Sequence, residues 1–191
     1  MFSGGCDVMG GSTVLNPKSS AYNAIREAFA QQPREPYFPL DILTMEKNSR
    51  DVASRVRKAS ANAEELVTIL RSNPAVSEVY YPKGSPSQDV YDTFRRPDAG
   101  YGFLLSVIFT TPAAAIAFHD ALHVAKGPSL GTNFTLCCAY TLLGHFRELE
   151  WAAQFGVVEH LVRISVGVED LDLLKRLVYH ACGQAQLCLQ N

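Results

Sequence analysis

Between Leu161 and Asp170, Val162, Ile164 and Val166 alternate with Arg163, Ser165 and Gly167. A strand with this period of two buries one aliphatic face and presents a guanidinium, a hydroxyl and bare backbone on the other. The planar, cationic fork of an arginine on such a face suits a bound carboxylate or phosphate. A second reading stands beside it: an arginine at the sheet margin, loosely paired with Glu169 or Asp170, as most exposed arginines are. The two readings differ in the partner the guanidinium finds.

Other residues carry weaker chemical signals. His119 and His123 are four apart on an expected helix and would chelate a metal only with a third ligand, which the sequence does not place nearby, so surface or satisfied histidines are the simpler reading. Cys6, Cys137, Cys138, Cys182 and Cys188 are odd in number and form no CxxC pair, which argues against a disulfide framework or a zinc knuckle and for reduced thiols. Four glycines in the first eleven residues mark a tightly turning backbone, but neither GxGxxG nor GxxxxGK[ST] is there to make it a phosphate cradle. No Ser-His-Asp order and no paired catalytic carboxylates stand out.

The elements that would position Arg163 read as follows. A short strand is expected around Ser12 to Leu15. A helix capped by Ser19 and Ser20 should run to about Gln31, with Ala21, Ile25 and Phe29 on one face and Pro33 as its stop; residues 33–39 make a connector. A long helix is expected from near Asp41 to Ser72, its apolar stripe formed by Val52, Val56, Ala59, Ala63, Leu66, Val67 and Leu70 and its polar side, with Arg50, Asp51, Arg55, Arg57 and Lys58, facing water. Val76–Tyr81 reads as a strand, and Lys83–Gly100 as a polar loop with one helical turn near Val90. The apolar run Gly102–Phe109 fits a strand buried on both faces. A helix from Thr111 to Val124, a strand or turn at Gly127–Gly131, a short helix at Arg147–Phe155, the Arg163 strand and a helix from Leu171 to about Cys182 complete the chain. This order predicts a small α+β sandwich, a sheet with helices on one face, with a domain boundary inside the long helix.

The 191 residues allow one well-packed core, or one domain plus part of another. A composition of 47% hydrophobic and 19% charged residues with a net charge of -2 supplies no basic excess to recruit nucleic acid. No apolar run approaches the roughly 20 residues of a membrane span, and the first residues lack a signal-peptide pattern. No nucleic-acid or membrane partner is expected, and the cytoplasm is the expected compartment.

Two stretches resemble one family. Ser129-Leu130-Gly131 continuing to His145, together with Arg163-Ile164-Ser165-Val166-Gly167-Val168-Glu169-Asp170, are similar to the C-terminal domain of the Cys/Met-metabolism enzymes that depend on pyridoxal 5'-phosphate (PLP). Met45–Asp51 and Lys126–Leu136 resemble the fungal cystathionine γ-synthase branch. The likeness runs from Met1 to about Leu174. It implies an α/β protein of the PLP-dependent transferase fold type I: residues 1–45 as the tail of the large PLP-binding domain, and residues 46–191 as the small C-terminal α+β domain, an antiparallel-rich sheet with helices on one face. Met1 to Asp7 match the family pattern that follows the Schiff-base lysine, except at Gly5 and Cys6 where His and Ser are usual, and the resemblance places that lysine one position before Met1. None of the six lysines, at 18, 47, 58, 83, 126 and 175, takes its place, and the cofactor-phosphate ligands would lie upstream as well.

Carried over by residue, Arg163 would grip the substrate α-carboxylate, Ser129 and the Leu130 backbone would seat it, and Glu169 and Gly167 would hold the strand end and its turn. The implied parent enzyme is a PLP-dependent homo-oligomer. It would join an activated homoserine to cysteine by γ-replacement in the transsulfuration route toward methionine; this chain alone is expected to be inactive and to bind PLP weakly or not at all. Pro128 and Gly144 stand where other members carry Glu and Thr, which keeps a related C–S lyase open. A truncated, non-catalytic module that pairs with full-length subunits is the other alternative, with Phe2, Val8, Val14 and Tyr37 as its exposed apolar surface.

Overall fold

Apolar residues three and four apart on three helices meet an alternating set on a five-stranded sheet, and this junction is the core. The computed structural model describes residues 1–32 and 37–190. Its elements in chain order are α1 (Tyr22–Gln31), α2 (Pro39–Ser49), α3 (Val52–Arg71), β1 (Val76–Tyr80), α4 (Gln88–Phe94), β2 (Leu104–Phe109), α5 (Pro112–Ala121), β3 (Ala125–Lys126), β4 (Leu136–Ala139), α6 (Tyr140–Gly144), α7 (Leu149–Ala153), β5 (Val162–Ser165) and α8 (Leu171–Leu187). The chain divides into two compact units, Phe2–Arg50 and Asp51–Asn191 with Met1.

In the larger unit the strand order is β1-β2-β5-β4-β3, antiparallel except for the parallel pair β3 and β4. Leu66 and Leu70 of α3, Phe118 of α5, and Leu174 and Val178 of α8 are buried with Leu105 and Val107 of β2 and Val162 and Ile164 of β5 in one cluster. α5 starts where its sequence says it should: Pro112 sits in the first turn, and the Thr111 side chain accepts from the Ala114 N–H at 3.1 Å. Asp170 caps α8 in the same way, accepting from the Leu173 N–H at 3.0 Å.

Several expectations change. The long helix breaks at Arg50-Asp51, where Asp51 leaves helical geometry at φ -109°, ψ 13°. Asn48, Ser49 and Asp51 all compete with the backbone for hydrogen bonds, and the Asp51 carboxylate accepts from Arg55 Nε at 2.8 Å. β2 is buried on its helix-facing side only, with Leu104 exposed on the other. Its neighbours β1 and β5 complete the ladder. The strand or turn expected at Gly127–Gly131 is a turn, and the strands lie to either side as β3 and β4. α8 continues five residues past Cys182, because Ala185 extends the buried row formed by Val178, Ala181 and Cys182.

In the smaller unit the expected strand at residues 12–15 does not form, and Val14 stands exposed. α1 starts at Tyr22 with Ala21 at its N-cap; Ser19 Oγ instead accepts from the Ala21 N–H at 3.2 Å in the preceding turn. Ile25 and Phe29 remain exposed, so the α1 stripe is not buried. Pro33, the expected stop, lies outside the described residues. Asn48 Nδ2 donates to both Asp7 carboxylate oxygens, at 2.9 and 3.0 Å, and this contact holds the Asp7 carboxyl below its ordinary range.

Phe118 is fully buried and packs tilted against Phe109, with ring centroids 4.8 Å apart and an interplanar angle of 40°. Phe118→Ala should lower unfolding free energy by about 3–5 kcal/mol, whereas Phe94→Ala, at a ring 85% exposed, should change it by less than about 0.5 kcal/mol. Urea titration of the two variants checks the contrast, and equal losses would mean the core is misplaced.

Candidate functional site

Arg163 is the one charged residue in β5, and the register fixes its neighbours. Ser106 of β2 lies opposite it on one side and Cys138 of β4 on the other. Arg163 is half-buried on the sheet face opposite the core formed with α3, α5 and α8. Nη2 donates to the Pro128 carbonyl and, at 3.4 Å, to the Ser129 carbonyl. The guanidinium carbon sits 5.0 Å from the centre of the Tyr140 ring, within the range of a cation–π contact.

The expected partners at the sheet margin are taken elsewhere. Glu169 accepts from the Thr135 N–H and, at 2.9 Å, from the Thr135 hydroxyl, and Asp170 caps α8. Among the described residues no carboxylate pairs with Arg163, and the two carbonyls that receive it are neutral. A donor fork with its charge uncompensated therefore lines a cavity of about 460 Å³, together with Tyr80, Leu104, Ser106, Tyr140 and Leu161. That volume lies within the ordinary range for small-molecule sites. A larger cavity of about 840 Å³ shares Tyr80, Leu104 and Ser106 with it; the cation in its lining, Arg71, donates to the Lys83 carbonyl at 2.8 Å.

The turn bearing Ser129 and Leu130 is pinned from beneath. Ser165, expected on an open face, is buried because the turn covers it; its hydroxyl accepts from the Gly131 N–H at 2.9 Å. Gly131 has φ +75°, a left-handed geometry that a side chain would strain. At the far end of the turn, the Gly167 N–H donates to the Thr135 hydroxyl at 3.0 Å, and buried Asn62 donates to the Gly167 and Glu169 carbonyls at 3.2 and 3.1 Å. Ser129 thus meets Arg163 through its carbonyl, and Leu130 follows it exposed on the same turn.

The sequence reading missed three contributors. Arg55, placed on a solvated helix face, is buried and donates to the Met1 carbonyl at 2.7 Å and to Asn133 Oδ1 at 3.1 Å. Tyr140 and Ser106 reach the cavity only through strand register, and no sequence motif marks them. The two histidines do not form a pair on α5, which ends at Ala121: His119 Nδ1 lies 3.0 Å from Asp120, and His123 stacks on His180 with centroids 5.9 Å apart. Among the described residues no three His, Cys, Asp or Glu side chains are grouped to hold a metal.

The lysines do not fit a covalent PLP anchor. Lys83 and Lys175 pair with Glu64 and Glu65 at 2.6 and 2.7 Å, Lys126 donates to the Leu122 carbonyl at 2.9 Å, and Lys18, Lys47 and Lys58 are exposed. A cofactor-bearing lysine needs a desolvated amine, and none of these is buried.

Comparison with known proteins places this architecture. The crystal structure of cystathionine gamma-lyase from yeast superposes with a TM-score of 0.77 at 28% identity, covering 97% of this chain and 48% of that one. The fold is therefore the α/β fold of PLP-dependent fold type I enzymes. The family model for the Cys/Met metabolism PLP-dependent enzymes matches residues 2–181, and the chain belongs to that family. Cystathionine gamma-synthase of Neurospora crassa is 47% identical over 186 residues, covering 97% of this chain and 30% of that protein. The Saccharomyces cerevisiae protein of the same name is 37% identical over 194 residues, with the same coverage. The chain thus spans less than a third of the length of these relatives.

The thiols differ in burial. Burial pushes the Cys137 thiol up to about 12 and that of Cys182 up to about 11. Cys138 is raised by burial and drawn partly back by the Arg163 guanidinium. A raised pKa keeps a thiol protonated and unreactive below that pH. Iodoacetamide at pH 8.5 should therefore alkylate exposed Cys6 and leave Cys137 and Cys182 intact until denaturant is added. Mass mapping reads the sites, and prompt native labelling of Cys137 would contradict the burial.

Proposed function

We propose that this chain is the C-terminal part of a PLP-dependent enzyme of the cystathionine γ-synthase type, in which Arg163 takes the α-carboxylate of the amino-acid substrate. The observation that carries this reading is the uncompensated guanidinium of Arg163, held on the Ser129 turn and facing a cavity of amino-acid size. A carboxylate there would accept a two-point, charge-assisted pair and be fixed in orientation. Orientation is what a reaction at the adjoining α-carbon needs. Ser129 and the Leu130 backbone border the same seat.

The parent enzyme would be a cytoplasmic homo-oligomer using PLP as electron sink. It would condense an activated homoserine with cysteine by γ-replacement, on the transsulfuration route to methionine. Residues 1–45 are assigned to the tail of its large domain and 46–191 to its small domain. The chain alone is inactive in this reading, since its own lysines offer no anchor. No helix of the described residues is long and apolar enough to cross a membrane.

The likeness to the yeast cystathionine gamma-lyase supports a C–S lyase as a second reading. The exposure of Phe2, Val14 and Tyr37, with Val8 half-buried, supports a third, a module that pairs with full-length subunits.

Mixing the purified chain with PLP should yield no stoichiometric, borohydride-trappable absorbance band. A trappable one-to-one adduct on any lysine would overturn the inactivity of the isolated chain. Placed in an intact parent enzyme, Arg163→Ala should raise KM for the amino-acid substrate at least about tenfold, the loss of roughly one charge-assisted contact. An unchanged KM would remove the carboxylate assignment.

A further inference from the structure

Three side chains line up behind Arg163. Glu148 Oε1 lies 2.6 Å from His145 Nδ1, His145 Nε2 lies 3.3 Å from the Tyr140 hydroxyl, and the Tyr140 ring lies under the guanidinium. With Nδ1–H donating to the carboxylate, a neutral imidazole presents Nε2 as acceptor for the Tyr140 O–H. The edge of His145 also meets Tyr140, with centroids 5.5 Å apart at 63°, and Trp151 packs at 6.5 Å on the other side of His145. The Tyr140 ring is thereby fixed at two points, its hydroxyl and its edge.

We propose that Tyr140 is the positioning residue for substrate-carboxylate binding, holding the Arg163 guanidinium flat in the cavity while His145 and Glu148 hold Tyr140. The inference rests on the carboxylate reading of Arg163 given above. The physical need is clear from the strand. Arg163 has a neutral serine opposite it on β2 and a thiol on β4, so no carboxylate from the sheet fixes its long side chain. An aromatic face attracts a guanidinium and restricts its plane without neutralising the charge, which leaves the donors on the cavity side for an anion. A carboxylate in place of Tyr140 would hold the arginine as well but would compete with the substrate. Glu148, which carries the charge in this line, is kept two side chains away from the guanidinium.

The test uses the whole 191-residue chain, with L-2-aminobutyrate as probe and its carboxamide as the control lacking the anion. NMR follows the Arg163 Nε–H resonance, which the Tyr140 ring current displaces even without ligand. Tyr140→Leu should remove that displacement and weaken probe binding about fivefold. Tyr140→Phe keeps the ring and loses only the His145 contact; it should retain most of the displacement and lose about twofold in affinity, matched by Glu148→Gln. If Tyr140→Leu fails to fold, by circular dichroism, the Phe and Gln variants decide alone. Folded variants with unchanged Arg163 resonance and unchanged affinity would overturn the positioning role. Arg163→Ala separates the two claims. Probe binding that survives it sinks the carboxylate reading itself, while binding lost in Arg163→Ala but untouched by every Tyr140 and Glu148 variant sinks only the inference.

Discussion

The pairing of β5 with β2 and β4 is the constraint from which the site follows. Antiparallel register puts Val162 and Ile164 into the core and turns Arg163 the other way, between Ser106 and Cys138. A slip of one residue would bury a guanidinium among Leu105, Val107 and Phe118 and expose two aliphatic side chains. The cost of burying that charge without a partner would be several kcal/mol, so the core itself enforces the direction in which Arg163 points. Stability and site geometry are here one requirement.

A second layer of polar contacts fixes the turn that Arg163 meets. Ser165, Thr135, Glu169 and Asn62 are buried or half-buried, and each satisfies a backbone group of the segments that flank the sheet end. Loops normally lie at the surface because buried backbone needs partners; these four side chains supply them. The result is a turn whose Pro128 and Ser129 carbonyls are held toward the cation, with Gly131 taking the left-handed corner. Glu169 is thereby withdrawn from the guanidinium beside it in sequence, which leaves that charge available to an outside anion.

The likeness to sulfur amino-acid enzymes and the local geometry agree on what this stretch of chain contributes. Arg163 presents an uncompensated guanidinium to a cavity, whereas the lysines are paired or solvent-exposed. The chain matches less than a third of its fungal relatives' length.

β2 was marked in the sequence by its continuous apolar run and α5 by Pro112 at its start, whereas periodicity made the Arg163 strand and the apolar stripe of α3 legible, because burial of one face imposes a period of two or 3.6 on the residues. The peculiarity of Arg163 was legible for the same reason, a charge standing in an otherwise aliphatic and small-residue strand. Motif likeness pointed to the turn at Ser129 and Leu130, whose Ser129 carbonyl meets Arg163. The break at Asp51 was not read, although the apolar stripe begins at Val52, the first residue of α3. The burial of Arg55, Asn62 and Ser165 was hidden, because each is polar and becomes buried only when a distant loop supplies its partner. Tyr140, directly after β4, could be placed under the guanidinium only by strand register. Sequence determined which faces are apolar, for that is a property of neighbours along the chain; tertiary structure decided which polar groups meet, for their partners lie tens of residues away.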